Sequence, residues 1–203
     1  MKLYYAPGAC SLADHITLEW IGKPYEAIRV SSDDRKSPGY RRLNPAGSVP
    51  VLQDGDWALT QNVAILNFLA DTSPEAGLGG DGTPRGRAEV NRWLAFVNSD
   101  VHPGFKPLFG ATAYLDDEAT IEKTRDAART ALRGLFERAD AQLANGDWIA
   151  GSRSIADPYL YVVTRWAKAQ RVDLSGLDNL ARFSARMEAD PAVQKVLGEE
   201  GLS

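Results

Sequence analysis

The chain has 203 residues, 44% hydrophobic and 25% charged, a composition that argues against disorder and leaves ample length for a packed core. Its net charge of -4 speaks against nucleic acid or an anionic membrane as the main partner. One cysteine excludes an internal disulfide and a cysteine-rich metal site, and two histidines with no carboxylate cluster leave no metal-ligand spacing. Met1-Lys2-Leu3 opens no apolar stretch with a small-residue cleavage site, and no apolar run spans a bilayer. The expectation is a soluble protein of a reducing compartment, most simply cytoplasmic.

Lys2 to Tyr5 is an apolar, aromatic run that reads as a buried strand, and Pro7-Gly8 breaks it. Leu12, Ile16 and Trp20 then recur at helical spacing, with Gly22 and Pro24 as stop signals. Cys10 and Ser11 thus fall at a helix start, where unpaired N–H groups and the helix dipole favour a thiolate, their own or a ligand's. His15, inside this helix, reads as a solvated histidine.

Tyr25 to Val30 alternates like a strand, and the polar stretch Ser31 to Asn44 carries Arg35, Lys36, Arg41 and Arg42. That basic run is by default a solvated face, or else the partner of a small ligand's carboxylate. Val49 to Leu52 and Trp57 to Leu59 flank an Asp54-Gly55 turn, a strong hairpin signal. Pro50 within the apolar run implies either an edge strand or a cis peptide bond that turns the Val49 N–H and C=O outward. Ala64, Ile65, Phe68 and Leu69 mark a helix from about Gln61 to Asp71. At its start, Asn62 is either a cap or, with Gln61, a grip on the charged amino-acid end of a small ligand.

Residues 73–84 are dense in Gly and Pro, and everything beyond carries helical periodicity. The division expected is an α/β unit over 1–76, a linker over 77–84 and an all-α unit over 85–203. His102 lies near a helix end, where a capping role is open to it. Ser154-Ile155-Ala156-Asp157 has capping-box spacing, with Asp where Glu or Gln is usual, and reads as structural.

Tyr5 with Pro7-Gly8-Ala9-Cys10-Ser11, Val49-Pro50, Thr60-Gln61-Asn62 and Ser154-Ile155-Ala156-Asp157 occur in that order, an α/β half before a helical one. Together they resemble a cytosolic glutathione transferase, and the Cys10-Ser11 start resembles the bacterial beta class. The resemblance runs the length of the chain. It implies a thioredoxin-like first domain with Pro50 cis, an all-helical second domain and a homodimer. Glutathione is the implied co-substrate, with no metal, and a small hydrophobic electrophile the second partner. The resemblance places the glutathione thiol near Tyr5, Cys10, Ser11 and His102, and its cysteinyl backbone on Val49 beside Pro50. Gln61 and Asn62 would hold the γ-glutamyl end, and Arg35 or Lys36 the glycyl carboxylate.

Three residues depart from the class pattern: Gln61 for a Glu, Ala95 for an Asn that reaches the neighbouring subunit's ligand, and Pro103 for a Lys. They imply weaker binding or altered chemistry, with the fold kept. The implied function is detoxifying conjugation, with Tyr5, His102, Phe105 and the Trp166 helix walling the electrophile pocket. Cys10 adds a potential for mixed-disulfide chemistry. The alternative is a non-catalytic module of the same fold that binds ligands or a protein.

Overall fold

The computed structural model describes residues 1–202. Its first half orders as β1 (Lys2–Tyr5), α1 (Ser11–Ile21), β2 (Glu26–Arg29), α2 (Ser32–Lys36), α3 (Pro38–Leu43), β3 (Val51–Asp54), β4 (Trp57–Thr60) and α4 (Asn62–Thr72). The strands form one sheet in the order β2-β1-β3-β4, with β1 parallel to β2 and the other two pairs antiparallel. Leu3 sits opposite Ala27 on one side and Leu52 on the other, and Leu52 opposite Leu59.

Alternation along β1 decides which side chain faces which layer. Leu3 and Tyr5 join Leu18, Leu52, Ile65 and Leu69 beneath α1 and α4, while Tyr4 turns to the opposite face with Val51 and Tyr40. The hairpin forms as the Asp54-Gly55 signal indicates, with Gly55 at φ 59°. Ser31 caps α2 through a capping box with Asp34, and Ser37 caps α3.

The second half is helical: α5 (Pro84–Phe96), a π-helical stretch over Val97–Val101, α6 (His102–Gly104), a 3-10 turn over Lys106–Phe109, α7 (Glu118–Leu143), α8 (Ala156–Ala169), α9 (Asp178–Ala189) and α10 (Pro191–Glu200). The largest apolar cluster unites these helices with Leu12, Ala13 and Ile16 of α1 and Leu66 and Ala70 of α4. Helix α1 is therefore sandwiched between the sheet and the helical half, and every residue from Ser11 to Leu18 is buried. This corrects the sequence reading of His15, which is fully buried: a helix covered on both sides has no solvent face to offer it.

The Gly-rich connection is also anchored. Leu78 is buried in the helical core and its carbonyl accepts from the Ile155 N–H (3.0 Å). Arg87 ties α5 back to Asn67 (2.7 Å) and Asp71 (2.8 Å) of α4.

Candidate functional site

A cleft of ≈ 290 Å³ opens where the two halves meet. Cys10 enters it from the β1–α1 turn, and Ser48, Val49 and Pro50 from the segment before β3. Gln61 and Asn62 come from the start of α4, Asn98 from the π-helical stretch, His102 from α6 and Tyr159 from α8. The Val49–Pro50 peptide bond is cis.

The β1–α1 turn is held from both flanks. Gly8 lies at φ +68°, a conformation that suits glycine, and its N–H donates to Glu200 Oε2 (2.9 Å) while its carbonyl accepts from Trp166 Nε1 (2.7 Å). Glu200 in turn pairs with buried His15 through Nδ1 (2.9 Å), and His15 Nε2 lies 3.2 Å from Glu199. The last helix thus clamps the turn that carries Cys10.

Cys10 lies at the N-cap of α1, as the sequence indicates, but its thiol is not poised as a thiolate. Sγ donates to the Val49 carbonyl at 3.6 Å, and burial, with repulsion from Asp14 added, pushes the thiol up to about 12. The Cys10 and Ser11 N–H groups pull the other way and are outweighed. Loss of hydration on burial outweighs the helix dipole at this position.

Asn62 is buried, and the acceptors around it fix its amide: the nitrogen donates to the Cys10 carbonyl (3.2 Å) and to Asp14 Oδ2 (2.6 Å). Its side chain is therefore spent inward, between α4 and α1. Gln61, just outside, has φ 75° and makes no side-chain capping bond, so its exposed side chain faces the cleft unengaged. A non-glycine residue held in that region at a cleft mouth is a strained position that only its surroundings enforce.

Two residues that sequence reasoning passed over matter here. Tyr159 lies across the cleft from α4, its hydroxyl 2.6 Å from His102 Nδ1 and donating to Asn98 Oδ1 at 3.3 Å. Burial raises Tyr159 and lowers His102, the latter with help from Lys106, so both are neutral at physiological pH. Asp14 sits fully buried behind Asn62, and burial, with Glu200 adding, raises it well above the usual carboxylate range. Tyr159 is one apolar-looking position in a buried helix, and nothing local marks it; the burial of Asp14, like that of His15, depends on the helical half closing over α1.

The remaining expected residues fall outside the cleft. Tyr5 follows Leu3 onto the α1 side of the sheet, where its ring packs against His15 at 5.1 Å and borders a separate cavity of ≈ 530 Å³ with Glu19, Tyr25 and Lys195. Ser11 is buried, and its Oγ turns back to the Ala6 carbonyl (3.3 Å). Lys36 pairs with Asp33 (3.1 Å) and Arg35 Nε donates to the Ser31 carbonyl (3.3 Å), so both of these cations have partners within their own turn of chain. Phe105 is fully buried; Phe109, stacked on it at 5.6 Å and edge-on to Trp166 at 5.3 Å, presents the exposed aromatic surface instead.

Asp157 fulfils half of the capping-box reading: its carboxyl takes the Ser154 N–H, but Ile155 rather than Ser154 stands at the N-cap of α8, and the Asp157 N–H donates to the Ser154 carbonyl (3.2 Å) instead of the hydroxyl. The carboxyl accepts from the N–H groups of Ile149 (2.9 Å) and Ser154 (2.7 Å) and from the Ser154 hydroxyl (3.1 Å). Among the described residues no cluster of His, Cys, Asp and Glu is built to hold a metal. No described helix is long and apolar enough to cross a membrane.

Residues 9–72 match the model of the glutathione S-transferase N-terminal domain and residues 103–191 that of its C-terminal domain. Glutathione S-transferase GST-4.5 of Xanthomonas campestris pv. campestris is 58% identical, covering the whole of both chains. Among solved structures, a glutathione S-transferase from Xylella fastidiosa superposes with a TM-score of 0.97 at 55% identity, over 100% of this chain and 99% of that one. A sphingomonad glutathione S-transferase complexed with glutathione gives 0.87 at 34% identity, over the full length of both. The chain belongs to the glutathione S-transferase family, and its function is that of a glutathione transferase. The fold is accordingly a thioredoxin-like α/β unit followed by an all-helical one.

Proposed function

We propose that the cleft at Cys10 binds glutathione in the manner of the bacterial beta class, with His102 and Tyr159 governing its thiol. The observation that carries this reading is the 2.6 Å His102–Tyr159 bond in the same cleft as Cys10 and the α4 N-terminus. The γ-glutamyl carboxylate lies at the α4 N-terminus, where free N–H groups and the helix dipole suit an anion. The Gln61 carbonyl oxygen accepts from the ligand's ammonium group, and the cysteinyl backbone runs beside Val49. Asn62 contributes its main chain, since its side chain is engaged with Asp14 and Cys10.

Tyr159 has one proton, and donating it to Asn98 makes His102 Nδ1 the N–H partner. His102 Nε2 then carries the lone pair that takes the proton of the glutathione thiol as its sulfur attacks the electrophile. A neutral histidine is the form this step needs. Cys10, un-ionised, serves as a polar neighbour of the sulfur, and its mixed disulfide with glutathione is a slow side reaction. The electrophile lies against Phe109 and Trp166, an apolar wall that selects hydrophobic substrates. Positioning the two reactants supplies most of the rate.

Residues 1–76 form the glutathione-binding unit and 85–203 the electrophile-binding one, joined through 77–84. The protein acts in the cytoplasm as a homodimer. Exposed Trp57, its ring tilted against Phe68 at 5.0 Å on the β4–α4 edge, supplies apolar surface for the partner subunit. Sedimentation at micromolar concentration tests that dimer.

Conjugation assayed on aryl halides, epoxides and isothiocyanates is the test of the site. His102→Ala is expected to lower kcat about 100-fold with little change in the KM for glutathione. Unchanged kcat in His102→Ala would remove the proposed base. Cys10→Ala is expected to retain most conjugation.

A further inference from the structure

The Asp14 carboxyl is the least satisfied polar group near the cleft. It is fully buried in the first turn of α1, one turn from Cys10. Oδ2 accepts from the Asn62 amide at 2.6 Å, and Oδ1 has no partner among the described residues. Asn62 bridges Asp14 to the Cys10 carbonyl, so one carboxyl fixes how the starts of α1 and α4 meet under the cleft.

The groups around it come from several elements, and none supplies a positive charge to it. Cys10 shares its helix, Asn62 arrives from α4, Glu200 from α10 and Tyr159 from α8. Glu200 repels a charge on Asp14, and a charge on Asp14 repels charge on Cys10 and Tyr159. His15, next along α1, is turned to Glu199 and Glu200, and His102 to Tyr159. A buried carboxylate with one hydrogen bond and no cation is expensive, whereas the neutral acid keeps its bond to Asn62 at small cost.

We propose that Asp14 is a positioning residue that keeps its own charge out of the Cys10 end of the cleft. As the neutral acid it holds Asn62 and leaves room for a ligand thiolate; as the anion it opposes that thiolate. This rests on the glutathione reading of the cleft for its ligand, but not for its effect on Cys10. Asn is the discriminating replacement, because its carbonyl oxygen still accepts from Asn62 while it can never ionise.

Two measurements test it, each from pH 6 to 10 on the wild type and Asp14→Asn. The first is calorimetric binding of glutathione against S-methylglutathione, which has no thiol to ionise. In the wild type, glutathione is expected to lose roughly tenfold more affinity than the thioether as pH rises, the equivalent of one pH unit. Asp14→Asn should abolish that difference, and its persistence would overturn the proposal. The second is the rate of Cys10 alkylation by iodoacetamide, which needs no glutathione. Asp14→Asn should react roughly tenfold faster at pH 9; a superimposable pH–rate profile would also overturn it. Failure of both glutathione and S-methylglutathione to bind, with faster alkylation in the variant, would sink the glutathione reading and leave the Asp14 assignment standing.

Discussion

Asp14 and Asp157 are both fully buried aspartates near the start of a helix, and their surroundings differ in one respect. Asp157 is netted by two backbone N–H groups and a hydroxyl, whereas Asp14 has a single amide donor and an orphaned oxygen. Burial raises both, Asp157 to about 7 and Asp14 well above the carboxylate range. The three donors around Asp157 oppose that rise. A buried acid with its donors supplied is a structural fastener, and one left short of them is a group whose charge state is felt by whatever lies beside it.

The largest expected effect breaks the fastener. Asp157→Ala strips the acceptor from the buried Ile149 and Ser154 N–H groups and opens the start of α8, at a cost of about 3 kcal/mol. Urea unfolding checks this, and a loss under about 1 kcal/mol would mean that the cap does not hold α8. Because α8 carries Tyr159 and Trp166, activity should fall alongside stability.

A smaller effect is a pH slope. In the native protein Asp157 titrates at about 7, against about 3.9 when unfolded, so between those values the native state binds more protons. Stability should therefore be greatest below about pH 4 as far as this group is concerned, and decline as pH rises through 7. Asp157→Asn should remove that part of the slope, while costing about 1–2 kcal/mol because its NH₂ faces the Ser154 N–H or the Ile149 N–H. Melting curves of the two proteins from pH 5 to 8 should converge as pH rises; parallel curves would show that Asp157 is ionised throughout.

The contrast between the two aspartates also marks how far the sequence reaches. Ser154 and Asp157 are three residues apart, so their capping bond is a local pattern and was legible, as were the β1 run, the Gly22 helix stop and the Asp54-Gly55 hairpin. The α/β-then-α order followed from the switch of periodicity near residue 73. What escaped depends on partners far along the chain: Glu200 reaches His15 from 185 positions away and Tyr159 reaches His102 from 57. Helix α1 looked one-sided because its apolar repeat is modest, and only the helical half closing over it buries Asp14 and His15. Tyr5 was assigned to the thiol on resemblance, although strand alternation from Leu3 already pointed it beneath α1.

The smallest expected effect separates the two aspartates most sharply. Asp14→Asn changes neither shape nor the acceptor that Asn62 uses, so at pH 6 its stability should match the wild type within about 0.5 kcal/mol. As pH rises the wild type must either ionise a carboxyl that lacks donors or hold its proton against solution, and stability declines either way. The amide escapes both, so the variant should become the more stable protein as pH rises from 6 towards the native titration of Asp14, with the difference level beyond it. Thermal unfolding at pH 6 and pH 9 reads the crossover. A variant weaker than the wild type at both values would mean that Asp14 is ionised and satisfied in the native protein. It would then be a second fastener like Asp157, and the orphaned oxygen would have found a donor.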